Sequence, residues 1–276
     1  MSESSVQSSE VLDKISAILV CQMVPGTKTE KFGRSGEKHL AIPELNPELL
    51  VFLHHGIKYK ATGKVDGTCT LVRNGSLWKR RDIKDVKQQI PTTWVCTGSE
   101  KPGHQIGFMP IEPGDLWYTD CHPHTIVFTE IPDKRDPTGI KTRQIETKKY
   151  DMTMVRVLDV DPTTHQLSYQ YVPITSLEGH TVEVMGPKFQ TNPHKLKEHC
   201  LMRHGMLVLD DFPDLLNPKT DILTDIKHWF DTNPKGPYLE GVVIHLENGK
   251  MFKIHRHHLD LEWNVDKIPP LDQIPL

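Results

Sequence analysis

One stretch of the chain has residue types that could make and hold a covalent bond: Lys64-Val65-Asp66-Gly67-Thr68. It sets a candidate nucleophilic amine two residues from a carboxylate and beside a glycine, which lets a backbone come close to a bound ligand. At neutral pH lysine is an ammonium and a weak nucleophile. Chemistry on Lys64 therefore needs nearby cations or desolvation to make the amine form accessible. Further charged candidates stand far away in the chain. Arg80 closes Leu77-Trp78-Lys79-Arg80, and Glu183 lies in Val182-Glu183-Val184-Met185-Gly186-Pro187. Glu240 lies in Leu239-Glu240-Gly241-Val242-Val243, and Lys253 and His255 in Phe252-Lys253-Ile254-His255-Arg256. An acid such as Glu183, at the end of an apolar run before a glycine-proline turn, can accept ribose hydroxyls.

Two Asn-Gly pairs fix the elements that must position these groups, because Asn-Gly favours the two-residue type I′ turn between antiparallel strands. The first hairpin is expected over Thr68–Val72 and Leu77–Arg81 around Asn74-Gly75. Arg73 then faces Ser76 and Arg80 faces Cys69, which hangs the guanidinium near the strand that follows Gly67. The second is expected over Gly241–Leu246 and Met251–His257 around Asn248-Gly249. Glu247 then faces Lys250, Ile244 faces Lys253 and Glu240 faces His257. Alternation puts Glu240, Val242 and Ile244 on one face with Lys253, His255 and His257, the acid and the amine roughly 13 Å apart along the ladder. Arg256 and Ile254 fall on the other face, and Lys64 is expected on a loop leading into a strand.

Short β-branched runs at Val11–Met23, Met154–Asp159, Leu167–Val172 and Thr181–Met185 add strands. Thr220 caps an expected helix with Ile222, Leu223, Ile226, Trp229 and Phe230 on one face, and a second helix is expected over His194–His204, closed by Gly205. Residues 130–150 lack apolar periodicity, and Lys134 to Lys149 hold six basic and two acidic side chains. They are read as a mobile solvated loop, with phosphate contact as the alternative. Residues 1–10, half of them serine, form an expected disordered tail. The fold class is α+β, with antiparallel sheets and flanking helices in a single domain over 11–276 and a ligand between the sheets.

The chain has 276 residues, and 33 Lys+Arg against 36 Asp+Glu leave it near neutral, unlike a non-specific nucleic-acid coat. Its first apolar run, Ile15 to Cys21, is too short to span a bilayer and wrongly flanked for a signal peptide, so an intracellular, cytoplasmic, monomeric protein is expected. The five cysteines form no C-x-x-C pair and are read as reduced thiols.

Taken in order, K-V-D-G-T at Lys64, V-E-V-M-G-P-K-F-Q-T-N-P around Glu183, L-E-G-V-V at Glu240 and F-K-I-H-R at Lys253 resemble four ordered motifs of the covalent nucleotidyltransferases: DNA ligases, RNA ligases and mRNA capping enzymes. Within that group, L-W-K-R at Leu77–Arg80, Asn192-Pro193, His204-Gly205 and H-R-H-H-L at His255–Leu259 resemble the stand-alone ATP-dependent 5′-to-3′ RNA ligases of vertebrates and their relatives. The resemblance implies a ligase adenylation domain with ATP and Mg²⁺, or Mn²⁺, as cofactors. Its expected partner is RNA with 5′-phosphate and 3′-hydroxyl ends, as in RNA repair. By the same resemblance Lys64 carries AMP, Lys253 neutralises the α-phosphate, Glu240 places the metal and Glu183 holds the ribose. Asp66, Gly67, Arg80 and His255 join the nucleotide site. Many relatives have lysine where this chain has His255, and the chain ends soon after the last motif, so no C-terminal OB domain is expected.

Three other readings compete: an end-binding protein without turnover, a DNA ligase or GTP-dependent capping enzyme, and a metal-binding protein built on Cys121-His122-Pro123-His124 and His255–His258. The spacing of that last set matches no known zinc signature, and alternation sends neighbouring histidines to opposite faces. The five tryptophans are read as core.

Overall fold

The computed structural model describes residues 14–25, 37–84, 87–101, 103–138, 140–161, 163–164 and 166–276, so the expected tail at 1–10 lies outside the described residues. The chain begins with β1 (Ser16–Ala17), β2 (Leu19–Pro25), β3 (Glu37–Leu45), α1 (Pro47–His54) and β4 (Tyr59–Lys64). β5 (Thr68–Arg73) and β6 (Ser76–Arg80) follow, then β7 (Val95–Lys101), β8 (His104–Pro110), α2 (Leu116–Thr119), β9 (His124–Pro132) and β10 (Thr142–Tyr150). The second half holds β11 (Met154–Val160), β12 (Leu167–Pro173), β13 (Thr181–Met185), β14 (Cys200–Arg203), α3 (Ile222–Thr232), β15 (Gly241–Leu246) and β16 (Met251–His255).

Two sheets carry the architecture, one in the order β12-β11-β14-β13-β5-β6-β8-β7 and the other β1-β16-β15-β4. Pairings are antiparallel except β1 with β16 and β11 with β14, which makes the fold α+β as expected. The first Asn-Gly hairpin forms as read. Asn74 and Gly75 both take positive φ, and Arg73 pairs with Ser76 and Thr70 with Lys79.

The second hairpin differs by one residue. Gly249 takes positive φ and donates its N–H to Leu246 O, while Leu246 donates to Lys250 O. That is a three-residue loop ending in a left-handed glycine, the other common hairpin solution. Gly241 therefore pairs with His255 and Val243 with Lys253. Val242, Ile244, Phe252 and Ile254 all turn inward and are fully buried. Lys253 and His255 still share the opposite face, now with Gly241 and Val243 in place of Val242 and Ile244.

α3 forms close to its expected place, capped one residue later than read: Asp221 accepts from the N–H of Thr224 at 2.9 Å. Such a cap contributes about 1 kcal/mol. Ile222, Ile226, Trp229 and Phe230 are buried, and α3 packs against β3. The helix expected over His194–His204 is absent. Lys195 takes positive φ in what would be the first turn, and Cys200–Arg203 pairs between β13 and β11; Gln190, Thr191 and Asn192, just ahead of the stretch, are left-handed too.

The expected loop at 130–150 is also replaced. β9 and β10 pair along their whole length, from Thr142 opposite Pro132 to Tyr150 opposite His124, as a separate ribbon. With water on both faces, no one-sided apolar alternation marks its strands. Of the five tryptophans Trp229 is buried, whereas Trp117 is 49% exposed. All five cysteines are free thiols. Among the described residues no helix is long and apolar enough to cross a membrane.

Candidate active site

Lys64 stands at the last position of β4 and not on a loop, paired with Gly241 at the start of β15. The strand narrows to Ala61-Thr62-Gly63 just before Lys64, and the chain is crowded at the glycine. A Cβ on Gly63 would meet Leu239 Cδ2 at 2.7 Å. Pairing brings the bend at Glu240 next to Lys64, with the Glu240 N–H donating to Lys64 O at 2.9 Å. The side chains follow. Lys64 Nζ donates to Glu240 Oε2 at 2.5 Å, and His255 Nδ1 donates to Glu240 Oε1 at 2.9 Å.

The larger sheet supplies the facing wall. Gly67 leads from Lys64 into β5 and passes so near β13 that a Cβ would lie 2.6 Å from Val184 O and 2.8 Å from Glu183 Cγ. The glycine is required by this strand crossing, a reason independent of any ligand. Glu183 lies within β13 and not at its end, 7% exposed, and His204 Nε2 donates to its Oε2 at 2.8 Å. Arg80 projects from β6 and is held in a bidentate pair with Asp82 at 2.9 and 3.3 Å.

A cavity of ≈ 370 Å³ opens between the sheets, and Lys64, Gly67, Arg80, Glu183, Lys253 and His255 all line it. That volume is in the range of a small-molecule site. Two expected members stand back from its surface. Glu240 lies behind Lys64, touching it, and Asp66 acts on the amine through charge alone. Lys14, Arg203 and His204 line the cavity and were not expected there. The segments that bring them carry no local motif, although His204-Gly205 was visible as a family resemblance.

Charge is divided across the cavity. Burial pulls the Lys64 pKa down, but the carboxylates of Glu240, Glu183 and Asp66 more than offset this and raise it. Lys64 is therefore held as an ammonium, the opposite of the cation-activated amine expected from sequence. Burial pushes Glu240 up, yet the Lys64 charge and the His255 hydrogen bond outweigh it and hold the carboxyl well below its usual range. Burial lowers His255 against the pull of Glu240, which leaves the imidazole neutral. Lys253 is pushed down to about 8, by burial first and then by Lys64, with Lys14 and Arg80 adding to it. Asp66 is pushed up to about 6 by burial and then by Glu240.

His194 is a supporting residue that sequence reasoning placed in a helix. Its Nε2 accepts the Asp66 N–H at 2.9 Å, and burial lowers its pKa to about 4, so the neutral ring pins the turn after Lys64. Arg256 points away as expected, donating to Leu239 O and Gly236 O with its guanidinium 4.9 Å from the Phe230 ring.

Among the described residues no group of three or more His, Cys, Asp or Glu side chains could hold a metal ion, which speaks against the histidine-cluster reading. The carboxylates of Glu240 and Glu183 suit a hard cation that keeps waters or substrate phosphates as its remaining ligands, the usual habit of Mg²⁺. Both Glu240 oxygens already accept a hydrogen bond, one from Lys64 and one from His255.

Comparison with known proteins finds similarity to one group. The family model described as RNA ligase 1 matches residues 143–275, a span that holds Glu183, Glu240, Lys253 and His255 but not Lys64 or Arg80. RNA ligase 1 of Mus musculus is 28% identical over 249 residues, covering 74% of this chain and 67% of the relative. RNA ligase 1 of Danio rerio is 27% identical over 252 residues, covering 74% and 68%.

Proposed function

We propose that this chain, a relative of the RNA ligase 1 proteins, is an ATP-dependent RNA ligase that carries AMP on Lys64. The observation that supports the reading best is the gathering of Lys64, Glu183, Glu240 and Lys253, distant in sequence, around one cavity. In the first step Lys64 Nζ attacks the α-phosphorus of ATP. A P–N bond forms, the bond to the bridging oxygen breaks, and pyrophosphate leaves. Lys64 must first give up a proton and its contact with Glu240, whose carboxylate is its nearest acceptor. In the second step an RNA 5′-phosphate oxygen attacks the same phosphorus, the P–N bond breaks and Lys64 takes back a proton. In the third an RNA 3′-hydroxyl attacks the activated 5′-phosphate, and AMP departs.

Each step is phosphoryl or nucleotidyl transfer, so the protein contributes mainly position and charge. Lys253, with Lys14 and Arg80 beside it, neutralises the phosphates, and Glu183, steadied by His204, accepts the ribose hydroxyls. Mg²⁺, when bound, supplies further charge neutralisation on the phosphates.

A second reading, an RNA-end-binding protein without turnover, draws on the locked state of Lys64. Sealing assays separate the two. Purified protein with ATP and Mg²⁺ is expected to join RNA ends bearing 5′-phosphate and 3′-hydroxyl and to release AMP. Binding of those ends with no joined product would favour the second reading.

A further inference from the structure

The β9–β10 ribbon has two unlike faces. Pairing and alternation place Thr125, Thr129, Thr147, Arg143 and Lys149, all exposed, on one face together with Val127, Ile131 and Ile145. That face of the two strands mixes apolar and hydroxyl side chains with two cations, one of them, Arg143, in the field of Asp133, and the strands place no carboxylate on it. The opposite face carries Glu130 and Glu146 with exposed Ile126 and Phe128, and its one lysine, Lys148, is paired with Asp120 at 3.5 Å. A two-stranded ribbon with water on both sides is marginal by itself and gains from a partner. Its place in the chain also matters: β10 runs directly into β11, which pairs with β14, and β14 carries the cavity residues Met202 and Arg203.

We infer that the Arg143–Lys149 face of the ribbon binds the sugar-phosphate backbone of the RNA whose end is joined. The inference rests on the proposed RNA ligase reading and adds to it the surface that holds the strand outside the cavity. Side chains on one face of a strand repeat about every 7 Å. Arg143 and Lys149 thus stand roughly 20 Å apart, with Thr129 and Thr147 among apolar side chains between them, a spacing that lets the two cations meet separate phosphates of one strand. Such contacts position the strand without reading its sequence.

The test compares the full-length protein with Arg143→Gln/Lys149→Gln, Glu130→Gln/Glu146→Gln and Ile126→Ser/Phe128→Ser. Fluorescence anisotropy follows binding of a 5′-phosphorylated single-stranded RNA across a salt series. The Arg143/Lys149 variant should bind about tenfold more weakly at low salt. Its slope of log affinity against log salt should fall by about 1.4, the value for two lost phosphate contacts on a single strand. Labelling of Lys64 by ATP should be unchanged in that variant, and the Glu130/Glu146 variant should bind at least as well as wild type. Equal affinity and slope in wild type and the Arg143/Lys149 variant would overturn the inference. So would a loss of RNA binding confined to the Ile126/Phe128 variant. Wild-type protein that binds RNA but never forms a lysyl adenylate would sink the ligase reading and leave the ribbon inference standing. Wild-type protein that binds no RNA would sink both.

Discussion

Lys64 Nζ lies 2.5 Å from Glu240 Oε2, so in the free protein the candidate nucleophile is locked by a carboxylate that also holds it protonated. The strand pairing that makes this contact, Lys64 opposite Gly241, joins residues 177 positions apart and is decided wholly by the sheet. Activation of Lys64 is then a release: the arriving nucleotide must separate the pair.

The Lys64–Glu240 pair has a defined pH window. The raised Lys64 pKa gives stability that is present below the ordinary lysine value and is lost as pH rises through the raised one. The depressed Glu240 pKa gives stability that is present above the ordinary carboxylate value and is lost as pH falls. Glu240→Gln removes the main charge that raises Lys64. The pH of half-maximal self-labelling should move down in this variant while its maximal rate falls about 100-fold. An unchanged midpoint would mean that Glu240 does not set the state of the amine.

Lys253 titrates where the site works. With its pKa near 8 it is charged at pH 7 and largely neutral at pH 9, so wild-type ATP affinity should fall across that range. Lys253→Arg, whose charge is fixed, should show a flat profile. Calorimetric titration with ATP at several pH values checks this. The same shift makes the buried charge of Lys253 costly below about 8, a cost relieved as pH rises toward the ordinary lysine value.

Glu183 should set sugar selectivity. A hydrogen bond to a charged group contributes about 1.5–3 kcal/mol, so wild type should prefer ATP to 2′-deoxy-ATP by about tenfold or more, and Glu183→Gln should shrink the ratio toward one. Labelling rates with the two nucleotides give the ratio directly. A preference that survives the substitution would assign the ribose to another group.

Gly67→Ala should destabilise the fold as well as the chemistry, because the new methyl meets the backbone carbonyl of Val184 at 2.6 Å. Overpacking of this kind costs about 1–3 kcal/mol, visible as a lower melting temperature without ligand. Wild-type stability in this variant would show that β13 yields to Gly67 easily.

Local chemistry explains what could be read from sequence. Asn74-Gly75 encodes its turn and therefore its register, since both residues occupy the left-handed region. Asn248-Gly249 offers the same letters, but the glycine alone takes that conformation, and the strand shifts by one. Glu240 still reaches the site because it precedes β15 and its position depends on β4, not on hairpin register. The stretch His194–His204 misleads because helix-forming lysines and leucine coexist with a left-handed Lys195 and run into the strand Cys200–Arg203. Lys14, Arg203 and His194 were missed for one shared reason: each meets the site or its supports through tertiary pairing, with no neighbour in sequence that signals it, whereas Asp82 stands two residues from the Arg80 it holds.

The central claim is that Lys64 becomes the carrier of AMP. Incubation with α-labelled ATP and Mg²⁺, followed by denaturation, tests it most directly. Label should remain on wild-type protein, map to Lys64 by peptide mass spectrometry and disappear in Lys64→Ala. Label retained in Lys64→Ala, or absent from folded wild type that binds ATP, would contradict the account.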